Sequence, residues 1–279
     1  MLNTVYREAI RNRDSVLDIL KGPKFEQIIE RARQNWIEYK PKKQDSVMAG
    51  IDSSFNSTKF QGMELWVVTA VSIRTDGKII SDNHKQGLGS NVSDLSSIAS
   101  RMEIDACKET VDLVDIAMMD GSLYSQFMTR QSGLTHAILK IMTKKQNVIF
   151  VAKTSNTRMQ FLDLKSLAGD IFYYNHATNT PGFSRVFVDS KFGKDRAISS
   201  IYARLSDSTP LIKIEMLGGS HSEDEVKSLL DKLYKNSVGG YPYALKLAHN
   251  NCKISSADLG KLVSLYGISN EIGSREVLE

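Results

Sequence analysis

Residues 46–52, Ser46-Val47-Met48-Ala49-Gly50-Ile51-Asp52, form a short apolar run that ends on a carboxylate. The Ser- and Asn-rich residues 53–57 follow directly. Short apolar runs bounded by turn-forming residues are typical of buried strands. The pattern therefore predicts the first strand of a core sheet, with Asp52 at its C-terminal end.

The remainder of the chain alternates between predicted strands and helices. The β-branched and aromatic residues 65–73, a turn at Asp76-Gly77 and residues 78–80 predict a β-hairpin. Apolar periodicity then predicts strands at 113–119, 147–152, 183–188, 198–204 and 211–215, and helices at 94–111, 131–145, 157–167, 222–235, 241–250 and 255–266. This order favours an α/β fold with a mixed sheet and flanking helices.

The N-terminal residues 1–44 are predicted to form a helical extension to a main domain of residues 45–279. Apolar residues at three- and four-residue spacing predict an amphipathic helix over 24–39, which Lys40-Pro41 would end. Residues 1–45 hold ten Lys and Arg against seven Asp and Glu, which is +3 of the formal net charge of +4. Such a basic cluster suits a phosphate backbone or an ordinary solvated helix face.

Composition excludes several classes of protein. The chain has 279 residues, of which 41% are hydrophobic, and this excludes intrinsic disorder and collagen-like structure. Its two cysteines, Cys107 and Cys252, form neither a disulfide framework nor a CxxC metal motif, which favours a reducing cytoplasm. We find no apolar stretch near the ~20 residues of a membrane span, and charges interrupt the N-terminus where a signal peptide would be apolar.

Three carboxylates are expected to converge at one edge of the sheet. Asp52 and Asp120 each end a predicted strand, and neighbouring parallel strands bring their C-terminal ends to a common rim. Glu103 lies at the margin of the buried face of the helix between them. Each acid alone is more often a solvated surface group. Three together favour a Mg²⁺ or Mn²⁺ site, because a divalent cation offsets their mutual repulsion, and such sites hydrolyse phosphodiesters.

The order of strand Asp, hairpin, helix Glu and strand Asp resembles the ribonuclease H-like nucleases. More specifically, the sequence resembles the NurA nuclease family of archaea. Four segments carry the resemblance: Ala49–Ser54, Met119–Leu123, Val151–Ser155 and Gly240–Asn250. They span roughly residues 45–266. Ser53 departs from the family, in which Gly is common at this position.

The resemblance implies a ribonuclease H-like core and a Mn²⁺-dependent (or Mg²⁺-dependent) nuclease acting on DNA ends. It implies 5′-to-3′ exonuclease and single-strand endonuclease activity in double-strand-break repair by homologous recombination. It also implies a ring-shaped homodimer that works with a hexameric HerA-type helicase. Carried over to this sequence, the metal ligands are Asp52, Glu103, Asp120 and His249, and Tyr241 joins them from the C-terminal helix. Spacing alone would leave His249 a structural histidine.

Two further segments suggest contacts with nucleic acid. Lys153 and Arg158 flank Ser and Thr hydroxyls between a strand and a helix, an arrangement that suits a phosphate or simple helix capping. Residues 185–196 interleave cations with aromatics and include Arg185, Lys191 and Phe192, which suits a single strand or a hairpin with one polar face.

Two alternatives to a DNA nuclease remain open. The same fold could serve as a non-catalytic single-stranded DNA-binding subunit, although retention of all three acids argues against it. A ribonuclease H-type enzyme acting on RNA or a hybrid would share the metal chemistry and would differ in its contacts to 2′-hydroxyls.

Overall fold

The computed structural model of the chain describes residues 2–90, 94–128, 132–191, 193, 196–219 and 221–268. Helices in these ranges are α1 Leu2–Lys21, α2 Pro23–Gln34, α3 Leu95–Thr110, α4 Leu123–Met128, α5 Ser132–Lys144, α6 Asp170–Ala177, α7 Glu223–Lys235, α8 Tyr243–Cys252 and α9 Ser256–Leu265. Strands are β1 Trp36–Glu38, β2 Met48–Phe60, β3 Met63–Arg74, β4 Ile79–Gly89, β5 Ile116–Asp120, β6 Val148–Ala152, β7 Gly182–Ser184, β8 Phe187–Asp189, β9 Ile198–Arg204, β10 Ile212–Leu217, β11 Ser237–Val238 and β12 Tyr241–Pro242.

One large mixed sheet organises the molecule. Its strand order is β1-β7-β9-β10-β6-β5-β2-β3-β4, and β8 pairs with β9. β2, β5 and β6 are parallel neighbours, whereas β2, β3 and β4 form an antiparallel meander. Successive residues of a strand face opposite sides of a sheet, so the central strands contribute to two cores. The predicted α/β fold with a mixed sheet and flanking helices is confirmed.

Helices cover both faces of this sheet. Leu230 of α7 and Leu245 of α8 pack on one face against Met118 and Val151. On the other face, Ile104 of α3 and Ile138 of α5 pack against a second set of strand residues. The sequence Ser93-Asp94 offers N-cap residues for the helix predicted at 94–111, and in α3 the Asp94 side chain accepts the backbone N–H of Ser96. Ser93 lies outside the described residues.

The first core strand is longer than predicted. β2 continues beyond Asp52 to Phe60 because every residue from Asp52 to Phe60 pairs with β3, and the turn follows at Gln61-Gly62. The Ser- and Asn-rich segment is therefore strand, not turn. Gly62 adopts φ +88°, a left-handed conformation that glycine accommodates without a side-chain clash. Asp52 thus lies within β2, one residue beyond its parallel pairing with β5, which ends at Ile51 and Met119.

The prediction of a helix over residues 157–167 is wrong. The buried Asp170 carboxylate accepts the backbone N–H groups of Met159 and Gln160, and the Asp170 N–H donates to Thr157 O. The Thr157 carbonyl is thereby diverted from the helical hydrogen bond that it would accept from the Phe161 N–H, and the segment keeps only a 3-10 turn at Leu162–Leu164. The helix lies later in the chain, as α6.

The N-terminal segment differs from the predicted helix over 24–39. α2 ends at Gln34, and Trp36 belongs to β1, which pairs with β7 at the edge of the large sheet. Phe25 and Ile29 of α2 are buried against residues of α6. The predicted domain boundary at residues 44–45 stays a prediction.

Candidate metal centre

Asp52 and His249 form the first pair of the site. Asp52 is buried, and its Oδ2 lies 2.9 Å from Nδ1 of His249, which comes from α8. α8 reaches this position because Gly50 lies beneath it. A Cβ at residue 50 would be 2.4 Å from the backbone C of Ala244 and the backbone N of Leu245. The glycine of the apolar run therefore lets α8 approach β2 and place His249 over Asp52.

Asp120 ends β5 beside this pair. Its Oδ1 accepts a hydrogen bond from the Tyr241 hydroxyl at 3.3 Å, and its Oδ2 lies 3.8 Å from Nζ of Lys153. Lys153 also lies 4.5 Å from the centre of the Tyr241 ring. Burial raises the pKa of Asp120, and the charge of Asp52 adds to the rise, whereas Lys153 and Tyr241 oppose it. Tyr241 acts from β12, not from the predicted helix.

Glu103 approaches from the opposite face of the sheet. Its Oε1 accepts the Ser53 hydroxyl at 2.6 Å. Because Asp52 and Ser53 are consecutive in β2, Asp52 faces α8 while Ser53 faces α3. Burial raises the pKa of Glu103, the Ser53 hydrogen bond opposes the rise and the charges of Asp52 and Asp120 add to it, and together these effects bring the pKa to about 8. β5 ends at Asp120, so acids from both faces come together around the end of that strand.

The donor atoms fit a divalent cation. One ligand atom each from Asp52, Asp120 and His249 lies within 4.8 Å of the others. Carboxylate oxygens are hard donors and an imidazole nitrogen is a borderline donor, and donors of both kinds hold Mn²⁺ or Mg²⁺. Glu103 lies beside this group, and its service as a ligand stays a prediction, as do the metal roles of the other three.

The predicted nucleic-acid residues lie in different places. Lys153 and Arg158 line one open cavity next to Asp120. Lys191 is exposed after β8, and its Nζ is 3.8 Å from Sδ of Met159, which lies in the loop after β6. Arg185 is exposed between β7 and β8, with its backbone N–H donating to Asn35 O. Phe192 lies outside the described residues.

Sequence reasoning missed a buried ion pair next to the site. Nζ of Lys213 lies 2.5 Å from Oε1 of Glu215, and both side chains are almost fully buried. Lys213 also donates to Oγ1 of Thr157 in the loop after β6, and Glu215 accepts the backbone N–H of Tyr124 after β5. The alternation of apolar and charged residues in β10 would suggest a polar face toward solvent. Only the position of the strand, between β6 and β9, reveals the burial.

The sequence matches a known family over most of its length. The family model described as the NurA domain matches residues 46–254. The chain belongs to the NurA family. The resemblance noted in the sequence is thereby confirmed, and its four motif segments lie within this NurA region.

Two proteins named DNA double-strand break repair nuclease NurA are similar to the chain. The Sulfurisphaera tokodaii protein is 24% identical over an alignment of 182 residues, and the match covers 57% of this chain and 52% of that protein. The Saccharolobus solfataricus protein is 26% identical over an alignment of 133 residues, and the match covers 43% of this chain and 38% of that protein. The matches thus span about half or less of the length of these curated relatives.

Solved NurA structures share the fold over nearly the whole chain. The crystal structure of the NurA nuclease from Sulfolobus solfataricus has a TM-score of 0.80 at 20% identity, covering 96% of this chain and 97% of that one. A NurA structure described as bound to dAMP and manganese has a TM-score of 0.64 at 11% identity, covering 97% and 98%. No helix in the described ranges has both the length and the apolar character needed to cross a membrane.

Proposed function

We propose that this NurA-family chain is a divalent-metal-dependent deoxyribonuclease that acts in DNA end resection at double-strand breaks. The observation that carries the proposal is the approach of Asp52, Asp120 and His249 to within 4.8 Å at the rim of the sheet. The names of the relatives, which describe DNA double-strand break repair nucleases, support it. The proposed polarity is 5′-to-3′ for the exonuclease, with endonuclease activity on single strands.

A cation held by these residues, Mn²⁺ or Mg²⁺, would supply positive charge at the scissile phosphate and a bound water of lowered pKa. The manganese in a NurA structure of the same fold supports this choice of metal. Glu103 would complete the carboxylate set from the other face of the sheet. Because its pKa is raised, the Glu103 carboxyl carries a proton near neutral pH. A bound cation would displace that proton.

The other side chains have roles that follow from their positions. Lys153 lies 3.8 Å from Asp120 and would hold a phosphate oxygen of the substrate beside the acids. Asp52 accepts Nδ1–H of His249 in one imidazole tautomer, which leaves Nε2 to ligate the cation or to move a proton. Tyr241 fixes the orientation of the Asp120 carboxylate through its hydroxyl. Arg158, which lines the same cavity as Lys153, is proposed to contact DNA beside it, and Arg185, Lys191 and Phe192 are also proposed to contact DNA.

Assembly as a homodimer and cooperation with a hexameric HerA-type helicase in the cytoplasm are part of the same proposal. α1 supports it because the helix presents a stripe of exposed apolar residues at helical spacing. These are Leu2, Val5, Tyr6, Ile10, Val16 and Leu20. Exposed apolar stripes of this kind usually mark a protein interface.

The test uses end-labelled single- and double-stranded DNA with Mn²⁺, Mg²⁺ or chelator. We expect shortening of the DNA with either metal and none with chelator. Asp120→Asn should bind DNA and leave it intact, whereas Asp105→Asn, at an exposed position of α3, should cleave normally. Equal DNA binding with no cleavage under any condition would favour the non-catalytic binding subunit. Cleavage confined to RNA or hybrid strands would favour the ribonuclease H-type alternative.

A further inference from the structure

An open cavity of about 740 Å³ adjoins the candidate metal centre at the C-terminal end of β6. This volume lies in the range of roughly 300–1,000 Å³ that is usual for small-molecule sites. Lys153 lines the cavity and also lies 3.8 Å from Asp120, so the two sites share a wall. A polymer that crosses the metal centre can therefore continue into the cavity without a gap.

The lining of the cavity combines cationic and apolar side chains. Its charged members are Lys153 and Arg158, both cations, and both are exposed. The Arg158 guanidinium donates to Ser166 O at 3.4 Å, beside Leu167, which is 60% exposed and lines the cavity together with the partly exposed ring of Phe172. Cations attract phosphate, and an apolar or aromatic surface packs against the face of a base. This combination matches one nucleotide and not a bare anion.

Buried groups hold the loop that carries Lys153 and Arg158 in place. Lys213 donates to Oγ1 of Thr157, and the Asp170 carboxylate accepts two backbone N–H groups of the same loop. Gly169 allows the loop to pass close by, since a Cβ there would be 2.2 Å from Ser155 O. The cavity is therefore held open by the fold, and a ligand entering it need not order the loop.

We propose that this cavity is a binding subsite for the unpaired nucleotide next to the scissile phosphodiester. Lys153 and Arg158 bind its backbone phosphate, and its base packs against Leu167 and Phe172. The proposal deepens the proposed nuclease function and rests on it. It identifies the substrate as a single strand at this point, because a base paired in a duplex has its faces stacked and cannot enter a side cavity.

The test compares the affinity of full-length protein for oligothymidylate and for an abasic strand of equal length, with Ca²⁺ in place of Mn²⁺. Leu167→Ala should weaken oligothymidylate binding by about threefold to tenfold and leave abasic-strand binding unchanged, because only the base contacts the leucine. Leu167→Trp should tighten oligothymidylate binding by offering a larger stacking surface. Leu162→Ala is the matched control, since Leu162 is 57% exposed and lies outside the cavity lining.

Arg158→Ala should weaken both strands equally and lower the salt dependence of binding, as loss of a phosphate contact requires. Lys140→Ala, at an exposed position of α5, should do neither. If the two Leu167 variants change affinity for both strands equally, or for neither, the subsite proposal is wrong. Hydrolysis by the unmodified protein in Mn²⁺ is scored separately, so that loss of the nuclease proposal is distinguishable from loss of the subsite.

Discussion

The raised pKa of Glu103 predicts that metal-free protein loses stability as the pH rises. Its pKa goes from the usual 4.5 to about 8 in the folded state, mainly through burial. A folded state that retains its proton to a higher pH than the unfolded state does is favoured at low pH. Its free energy of unfolding should therefore fall as the pH passes from about 4.5 to about 8, and level off above that.

The size of the effect follows from the shift. Each pKa unit corresponds to about 1.4 kcal/mol, so a shift from 4.5 to about 8 sets an upper limit of about 5 kcal/mol. Glu103→Gln should remove this pH dependence, because the amide carbonyl still accepts the Ser53 hydroxyl and carries no charge at any pH. Asp105→Asn, two residues along the same helix at an exposed position, is the control and should keep the pH dependence of the unmodified protein.

The assay is urea unfolding in chelator at a series of pH values, repeated with Mn²⁺. Bound cation should restore stability at high pH, because it offsets the carboxylate repulsion and releases the Glu103 proton. Parallel pH profiles for the unmodified protein and Glu103→Gln in chelator would refute the reasoning. So would a stability that rises with pH in the unmodified protein and not in the variant, since the sign would be reversed.

Three further predictions concern positions around the site. Gly50→Ala should cost about 2 kcal/mol of unfolding free energy by denaturant titration and weaken Mn²⁺ binding by calorimetry, because the new Cβ meets the backbone of α8; unchanged Mn²⁺ affinity would show that α8 does not set the site. Lys213→Met should lower the unfolding free energy by about 3–5 kcal/mol in the same titration, because it leaves Glu215 buried and unpaired. The double variant with Glu215→Leu should recover much of that stability. Additive losses in the double variant would contradict the pairing. Deleting residues 1–21 should lower the oligomeric state in light scattering and leave the melting temperature nearly unchanged, whereas a dimeric truncation would exclude α1 from the interface.

The sequence was sufficient for those elements whose stability is local or strongly periodic. The strand around Met119 and the helix that carries Glu103 lie close to their predicted ranges, and β2 begins close to its predicted start, because apolar periodicity determined them. The prediction failed where a residue further along the chain forms hydrogen bonds with the backbone of the segment. The Asp170 N–H binds the Thr157 carbonyl, which a helix over 157–167 would need for its first hydrogen bond, and the Asp170 carboxylate holds the amides of Met159 and Gln160. No local pattern carries that information.

The acids of the site were predictable as a set, whereas the face from which each one approaches was not. Strand order placed Asp52 and Asp120 at one rim, as expected for neighbouring parallel strands. The opposite orientations of Asp52 and Ser53 depend on β2 continuing as a strand, whereas the sequence indicated a turn at that point. His249 could not be distinguished from a structural histidine by spacing, because its position depends on the contact of α8 with Gly50.

The continuation of β2 past Asp52 explains how acids on two faces of the sheet come together around the end of β5. A strand that turned after Asp52 would leave Glu103 without the Ser53 hydroxyl that holds it at 2.6 Å. A β5 that extended beyond Asp120 would instead pair with residues 53–55 and separate the two faces. The site therefore requires one strand to be long and its parallel neighbour to be short. Gly121, at φ +105°, allows the chain to leave β5 at that point, since a side chain would be strained in this conformation.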